Sequence, residues 1–559
     1  MQAARRLDLD EPLPQAGYLA WYRILNHGYP FRDYAANGAL AADAELMAAY
    51  AQASPSPPIA TPWPGRRVPL PPGNAEPGAA PSAELIAGWL RLAAGVLRTR
   101  DLGHSTVVFK SSPSGGARHP TDIGVHLGVG WSAPLAGRWW YDPVTHELVR
   151  RDGAEPEPPA GTAVFLVSSH VERAMWRYRD VRAFRPVLID AGHVVETLLA
   201  VINACGWTGR WHPAGGFACG DQLDPVLGYV TATCGGQPPI APEPPLLTAA
   251  GPAAAWRTNP LASLQVTAAA VRASVPGRLP VEVTPAMIDA LAYATPSSRG
   301  DRPSGAADIR GATGCAAAEL DTLAEQGLLV DVDAGDAVWR AGRAWFEHDW
   351  YLSLLAHAEE AGTVGAACAP IVTPAGLAAA LDGRRTCRAF AGTALPADVA
   401  RRVLDVAAQA PPGVSVVVVL RQPAGPRAAG VYELCDGRWL PSPLPVPGEA
   451  EIQEAAIGQP WAHGFALLVW LIPMPCTLPG SWEAALVDCG RVAQQIALAV
   501  AAHLSVGVFQ SPALVDGLLG GILHDRGSRD GAYLVGVGVA RDRPHTAPRQ
   551  FRAVDVLWH

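Results

Sequence analysis

The chain has 559 residues, 49% hydrophobic and 17% charged, with a formal net charge of -8. That length exceeds one ordinary core and allows several domains, while the net acidity argues against a general nucleic-acid surface. The apolar runs read as too short to cross a bilayer and the opening MQAARRLDLDEP lacks the apolar core of a signal peptide, so a cytoplasmic protein with neither membrane nor nucleic acid as partner is expected. Nine cysteines without a C-x-x-C pair, and histidines without ligand spacing, indicate neither a disulfide framework nor a metal site.

Pro-rich stretches from Ser54 to Pro64 and from Pro71 to Pro81 set off an N-terminal segment. A helix-patterned run from Ala83 to Val96 follows, and then the segment Phe109 to Pro120, which contains Lys110, the only lysine of the chain. Hydroxyls at Ser111, Ser112 and Ser114, the Lys110 cation, and Gly115 and Gly116 after Pro113 are what a phosphate or the polar edge of a flavin requires of a turn. The same residues also suit an ordinary surface turn.

An internal repeat organises the rest. Asp190-Ala191-Gly192-His193-Val194 and Asp488-Cys489-Gly490-Arg491-Val492 each open a helical pattern, and Val194, Leu198 and Ile202 correspond to Val492, Ile496 and Val500 on one apolar face. Strand-like runs precede both helices, Thr162 to Val167 and Phe465 to Ile472. Further upstream, Asp122 to Val129 with Trp140-Tyr141-Asp142 parallels Val414 to Leu420 with Val431-Tyr432-Glu433. The repeat predicts two copies of one α+β domain.

Between the copies, Thr284-Pro285 starts one helix and a second covers Ala316 to Gln326. Leu328 to Val332, Ala334-Gly335 and Ala337 to Trp339 read as a small hairpin, so a winged-helix-like module is expected, without the basic face of a DNA binder. The boundaries expected are an N-terminal segment at 1–75, a first copy at 76–245, a linker with the central module at 246–365 and a second copy at 366–559. In the second copy Arg384, Arg385, Thr386 and Arg388 precede an amphipathic helix and suit a phosphate clamp, or else a solvated basic turn. Arg549 and Arg552 near the end carry the same two readings.

These pieces resemble a known family. Pro113 to Pro120, Tyr141-Asp142, His146-Glu147-Leu148, Trp176-Arg177-Tyr178 and Asp190 to His193 are together similar to the SagB-type dehydrogenases of the FMN-dependent nitroreductase superfamily, and Arg385-Thr386-x-Arg388-x-Phe390 resembles that superfamily's opening motif. The resemblance implies two nitroreductase-like domains, each an antiparallel-rich sheet flanked by helices, forming an intramolecular pseudo-dimer. The first copy lacks the arginine motif, and the second replaces the Pro-Ser-Gly loop with Ala410-Pro411-Pro412-Gly413. One composite FMN site is therefore expected, with Arg384, Arg385, Thr386, Arg388, Arg549 and Arg552 facing Lys110, Ser111, Pro113, Ser114, Gly115 and Gly116.

The implied reaction is oxidation of thiazoline or oxazoline rings to azoles in a ribosomally made precursor peptide, with cyclodehydratase partners supplying the ring and oxygen reoxidising the flavin. Arg177 and Tyr178 stand where relatives carry a catalytic Lys-Tyr pair; arginine stays protonated, so Tyr178 would handle the proton and Arg177 stabilise negative charge. Two other readings remain: an NAD(P)H-dependent nitro- or quinone reductase on the same fold, and a non-catalytic peptide-binding scaffold.

Overall fold

The computed structural model describes residues 57–557, apart from 102–105, 132–134, 152–157, 179–183, 219–223, 235–254, 267–269, 277, 296–304, 348–349, 361–366, 372–375, 425–426, 457–458, 460–463, 475–480, 504, 513–532 and 542–551. By contacts the chain divides into two compact units: one is built mainly on Pro244–Gly362, and the other holds both copies of the repeat.

The first copy opens with β1 (Arg67–Pro69) and α1 (Ala83–Ala94). Ser82 caps α1 through its side chain, which accepts from the Leu85 N–H at 3.2 Å. A hairpin of β2 (Val96–Asp101) and β3 (Thr106–Lys110) leads to β4 (Thr121–Leu127), β5 (Gly137–Asp142), β6 (Glu147–Arg150) and β7 (Ala163–Ser169). A short helix α2 (Glu172–Tyr178) and the long α3 (Phe184–Ala204) precede β8 (Thr208–Ala218) and β9 (Asp224–Thr233). Trp89 of α1 packs edge-on against Phe165, Trp131 and Trp207, which seats the helix on the sheet.

In the central unit, β10 (Trp256–Thr258) is followed by a three-stranded antiparallel sheet of β11 (Ser263–Val266), β12 (Val271–Ser274) and β13 (Val281–Glu282). Helices α4 (Pro285–Ala294), α5 (Ala306–Thr313) and α6 (Ala317–Glu325) then bury Met287, Leu291, Ile309, Leu320 and Leu323 together. Thr284 caps α4 as its sequence predicts, accepting from Met287 N–H at 3.2 Å. The expected hairpin is not formed. Its first half is β14 (Leu329–Asp331), which pairs with β10, and its second half is the helix α7 (Val332–Ala341). Asp331 caps that helix by accepting from Asp333 N–H at 2.9 Å, and Gly335 serves close approach to Arg257 rather than a turn.

The second copy begins with α8 (Leu377–Gly383) and α9 (Ala397–Ala407). It continues through β15 (Val414–Leu420), β16 (Gly430–Cys435), β17 (Arg438–Ser442) and β18 (Leu467–Pro473) to α10 (Ser481–Ala501), β19 (Val506–Ser511) and β20 (Tyr533–Val539). Its sheet runs β17-β16-β15-β18-β20-β19 and that of the first copy β6-β5-β4-β7-β9-β8, with β1 added outside β6. The two orders superpose strand for strand, as the repeat predicts. Val194, Leu198, Ile202, Val492, Ile496 and Val500 are all buried.

The copies meet through α3 and α10, which cross at Gly192 and Gly490. A Cβ on Gly192 would overlap the Val487 carbonyl oxygen, and one on Gly490 the Ile189 carbonyl oxygen. Both helices are long and apolar enough to cross a membrane, contrary to the expectation from the sequence, yet 89% and 94% of their apolar windows are buried inside the protein. The C-terminal residues tie the copies further: Ala553 N–H donates to Asp382 of α8 at 2.7 Å, while Ala75 N–H of the first copy donates to the Val556 carbonyl at 2.8 Å.

Gly192→Ala is expected to destabilise the fold by about 1–3 kcal/mol or more, because backbone atoms cannot swing away from the new methyl. A thermal melt that matches the wild type would show that the crossing tolerates separation.

Candidate functional site

The loop that carries the lysine is built from the hairpin inserted between α1 and β4. The second copy has no counterpart, since α9 reaches β15 within Ala408–Gly413. Ser111 N–H donates to the Gly95 carbonyl at 3.0 Å and Ser112 Oγ to the Ala93 carbonyl at 2.7 Å, so the loop is pinned to the end of α1. The turn beyond them is sharp: Gly116, Ala117 and His119 have φ of 60°, 55° and 48°. Two of these are not glycine, and surrounding contacts must hold them there.

Asp190 of α3 supplies those contacts. It accepts from Ser114 Oγ at 2.6 Å and from Gly115 N–H at 3.1 Å on both carboxylate oxygens, while Ser114 Oγ accepts from His119 N–H at 2.8 Å. The donors that made this loop a candidate anion site are thus answered by the chain's own carboxylate. Burial pushes the Asp190 carboxyl up to about 7, against the pull of Ser114 and Gly115.

Lys110 is different. The residue is 5% exposed, and its Nζ has no hydrogen-bond partner among the described residues; neither has the buried Thr121 Oγ1. Both residues line one small cavity with Ser112, Ser114, His119 and Asp190. Burial pulls the Lys110 amine down to about 7, reinforced by Arg173 and opposed by Asp122 and Asp142. Arg173 is in turn held by Asp122 at 2.8 Å and by the carbonyls of Pro58 and His119.

The second copy reaches this loop directly. Arg384, just past α8, donates from Nη2 to the Ser111 carbonyl at 2.9 Å, and its charge bears on His119, His193 and Tyr533. Arg385 folds back onto the end of α8, donating from Nη1 to the carbonyls of Asp382 and Arg384 at 2.7 and 2.6 Å. Thr386 and Arg388 are exposed, with the buried Cys387 between them. Arg552 is exposed and lies 4.0 Å from Asp382. Arg177 and Tyr178 end α2, but their side chains, like all of Arg549, lie outside the described residues.

Beneath the loop a hydrogen-bond chain crosses between the copies. Thr197 Oγ1 donates its one proton to the His193 carbonyl at 2.8 Å, so it accepts from Gln494 Nε2 at 2.8 Å. Gln494 Oε1 therefore faces His193 Nδ1 at 3.0 Å as an acceptor, and the proton of the neutral imidazole sits on Nδ1. Nε2 is left to accept from the Tyr533 hydroxyl at 2.9 Å. The pseudo-twofold mate of this arrangement is ionic: Arg491 stands in for His193 and Glu196 for Gln494, paired at 2.9 Å. Asp488, Gln495 and the Ile371 N–H complete that side, and Arg491 also donates to the Ala369 carbonyl at 2.7 Å. The chain's own 369–371 segment thus covers one side of the crossing, and the other side faces Arg384 and Lys110.

Sequence reasoning brought Lys110, Ser111 and Arg384 forward, and the structure places them together. It missed the clamp by Asp190 and the roles of His193, Gln494 and Tyr533. The signal available was the exchange of His193 and Glu196 for Arg491 and Gln494 between aligned copies.

No family model matches the chain. The crystal structure of a protein assigned as a nitroreductase from Anabaena variabilis aligns with a TM-score of 0.56 at 14% identity, over 94% of this chain and 100% of its own. The fold is therefore nitroreductase-like, with the nitroreductase-like domain present twice. The trifolitoxin-processing protein TfxF of Rhizobium leguminosarum bv. trifolii is 31% identical over 122 residues, 22% of this chain, which spans 42% of that relative's length. A chain of the E. coli microcin synthetase McbBCD complex, solved with truncated pro-MccB17 bound, is 17% identical over 34% of this chain and 73% of its own, with a TM-score of 0.22.

The clamp has a pH signature. Folded Asp190 keeps its proton to about pH 7, whereas an unfolded aspartate loses it near 4, so the folded state binds the extra proton between those values and this group's stability contribution falls as pH rises through that window. Asp190→Asn keeps the acceptor for Ser114 and Gly115 and should flatten that slope in urea melts at several pH values. An unchanged slope would remove Asp190 as its source.

Proposed function

We propose that this chain is an FMN-dependent oxidoreductase that converts azoline rings of a ribosomally made peptide to azoles. The observation that carries the reading is the contact of Arg384 with Ser111. It sets Arg384, the first residue of the second copy's arginine run, on the loop of the first, which also carries a lysine whose Nζ has no protein partner among the described residues. The resemblance to SagB-type dehydrogenases and the similarity to a trifolitoxin-processing protein support a peptide as substrate, reached after a cyclodehydratase has formed the ring.

The residues present fit FMN in a specific way. Lys110 Nζ and Thr121 Oγ1 are buried donors in need of an acceptor, whereas the amide of Gly115 and the hydroxyl of Ser114 already have one in Asp190. Arg384, Arg385, Thr386 and Arg388, joined by Arg549 or Arg552, would hold the phosphate and ribityl end by charge-assisted hydrogen bonds. Lys110 and Ser111 would meet the cofactor from the first copy, and Pro113, Ser114, Gly115 and Gly116 would form a shaped wall whose donors are turned inward. Bound FMN supplies a two-electron acceptor. Tyr178 would act on the substrate's proton, with Arg177 stabilising negative charge beside it. Among the described residues the 369–371 segment covers the other side of the crossing, in keeping with one flavin per chain.

The purified protein should be yellow, contain one FMN per chain, and remove two hydrogens from an azoline peptide. Two flavins would break the composite site, and a colourless protein that refuses FMN would point to a scaffold. Flavin bleached rapidly by NAD(P)H with no azoline turnover would instead identify a nitro- or quinone reductase. Arg384→Met should lower FMN affinity by at least about tenfold, as loss of a charged hydrogen bond does. Tyr178→Phe should keep the flavin spectrum and lose turnover; near-normal turnover would take Tyr178 out of the mechanism.

A further inference from the structure

We propose that Lys110 is the general base of this site, accepting the proton that leaves the substrate's ring carbon. The proposal rests on the oxidation described above and adds a role for a residue otherwise assigned only to cofactor contact.

Oxidation of an azoline removes one hydrogen as a proton and one as a hydride. The proton transfer breaks a C–H bond, forms an N–H bond on Lys110 and leaves the electron pair in the ring; hydride loss from the neighbouring ring atom to the flavin completes the aromatic system. A final acceptor for that proton is therefore required. Arg177 cannot be it, because a guanidinium does not give up its proton in proteins, and Tyr178, whose hydroxyl must release one proton to take another, would serve as the relay that hands it to Lys110. Lysine can be that acceptor, when buried.

The geometry favours Lys110. Its Nζ is buried and has no partner among the described residues, so its lone pair, once formed, is not spent on a hydrogen bond to any of them. It lines a cavity with room for about one water, enough for contact through a single relay. Arg384 of the second copy touches the neighbouring Ser111, and the charges of Lys110 and Arg384 both bear on His119, so the amine belongs to the loop that the second copy reaches.

The surrounding charges keep the amine available. Arg173 from α2 opposes protonation, while Asp122 from β4 and Asp142 from β5 favour it; His119 of the loop is neutral, held well below its ordinary value mainly by burial. Asp190 from α3 lines the same cavity and holds its own proton up to about pH 7. Burial is the largest influence and sets the Lys110 amine at about 7, so neutral amine and ammonium coexist at physiological pH.

Because the chain has a single lysine, the test is unusually direct. Protein grown with lysine labelled with carbon-13 at Cε gives one lysine resonance, whose shift can be followed with pH in the flavin-loaded full chain. The expected midpoint is near 7, against about 10.4 for an ordinary lysine. Lys110→Arg preserves charge and approximate length but cannot release a proton; it should retain the flavin spectrum and lose at least about 100-fold in turnover, the usual worth of a general base. A resonance that titrates at the ordinary value overturns the proposal, as does Lys110→Arg turning over like the wild type. Loss of flavin from Lys110→Arg along with turnover would leave Lys110 a cofactor contact alone, with no base role, and also overturn it. A wild-type protein without flavin or azoline turnover would instead defeat the functional reading itself, whatever the lysine resonance does.

Discussion

The close crossing of α3 and α10 at Gly192 and Gly490 is the constraint on which the rest of this structure depends. With a Cβ at either position the helices would separate, because the obstructing atoms are backbone carbonyl oxygens on the opposite helix. Contact at this distance lets polar side chains next to the glycines and one turn beyond them bond across the seam: His193 to Gln494 and Glu196 to Arg491. It also draws the start of the second copy towards the loop of the first, so that a single arginine, Arg384, spans the gap to Ser111. Association that free monomers would have to form against translational and rotational entropy is built here into one chain.

Fusion also frees the two halves to diverge. In a homodimer a twofold axis forces each residue into both sites, so a change that suits one site is imposed on the other. Here the axis relates unlike residues. His193 with Gln494 gives a neutral, directional chain that ends on Tyr533, whereas Arg491 with Glu196 and Asp488 gives a buried ion network covered by the 369–371 segment. Buried charges are tolerated only when well paired, and Arg491 donates to Glu196, Asp488 and the Ala369 carbonyl, which satisfies the guanidinium at the expense of open space. One side of the crossing has become structural, and the other keeps the polar cavity.

The repeat was legible in the sequence because it rests on period and order, which survive divergence: apolar positions of two helices at matching offsets, each after an apolar strand. The central hairpin was misread for a local reason. Ala334-Gly335 looks like a turn, but Asp331 caps a helix immediately before it, and the glycine is there for contact with Arg257. The apolar runs read as too short to cross a bilayer because polar residues interrupt both core helices, Asp190, His193 and Glu196 in α3 and Asp488, Arg491 and Gln494 in α10; in the fold these residues bond to the loop or across the crossing. That Arg384 would meet the loop of the first copy was legible only through complementary losses, an arginine motif missing from one copy and a loop from the other. That Asp190 would satisfy the loop was not legible, since nothing in spacing alone tells whether a carboxylate 76 residues away faces a turn.

The clamp by Asp190 changes how an anion site in this loop should be understood. A glycine-containing turn with free N–H groups is an anion receptor; the same turn with a carboxylate already bound is a rigid bracket. Holding Ala117 and His119 at positive φ costs energy that Ser114, Gly115 and Asp190 return as hydrogen bonds, and the bracket gains a fixed shape. Rigidity is what the residue at its base requires. A lysine side chain has four flexible bonds and ordinarily extends its ammonium to water; to stay buried and without a partner it must be confined by a frame that cannot open. The frame consists of the pinned start of the loop at Gly95 and Ala93, the Arg173–Asp122 pair, and the bracket closed by Asp190. The loop therefore contributes confinement, and Lys110 is the residue that it confines.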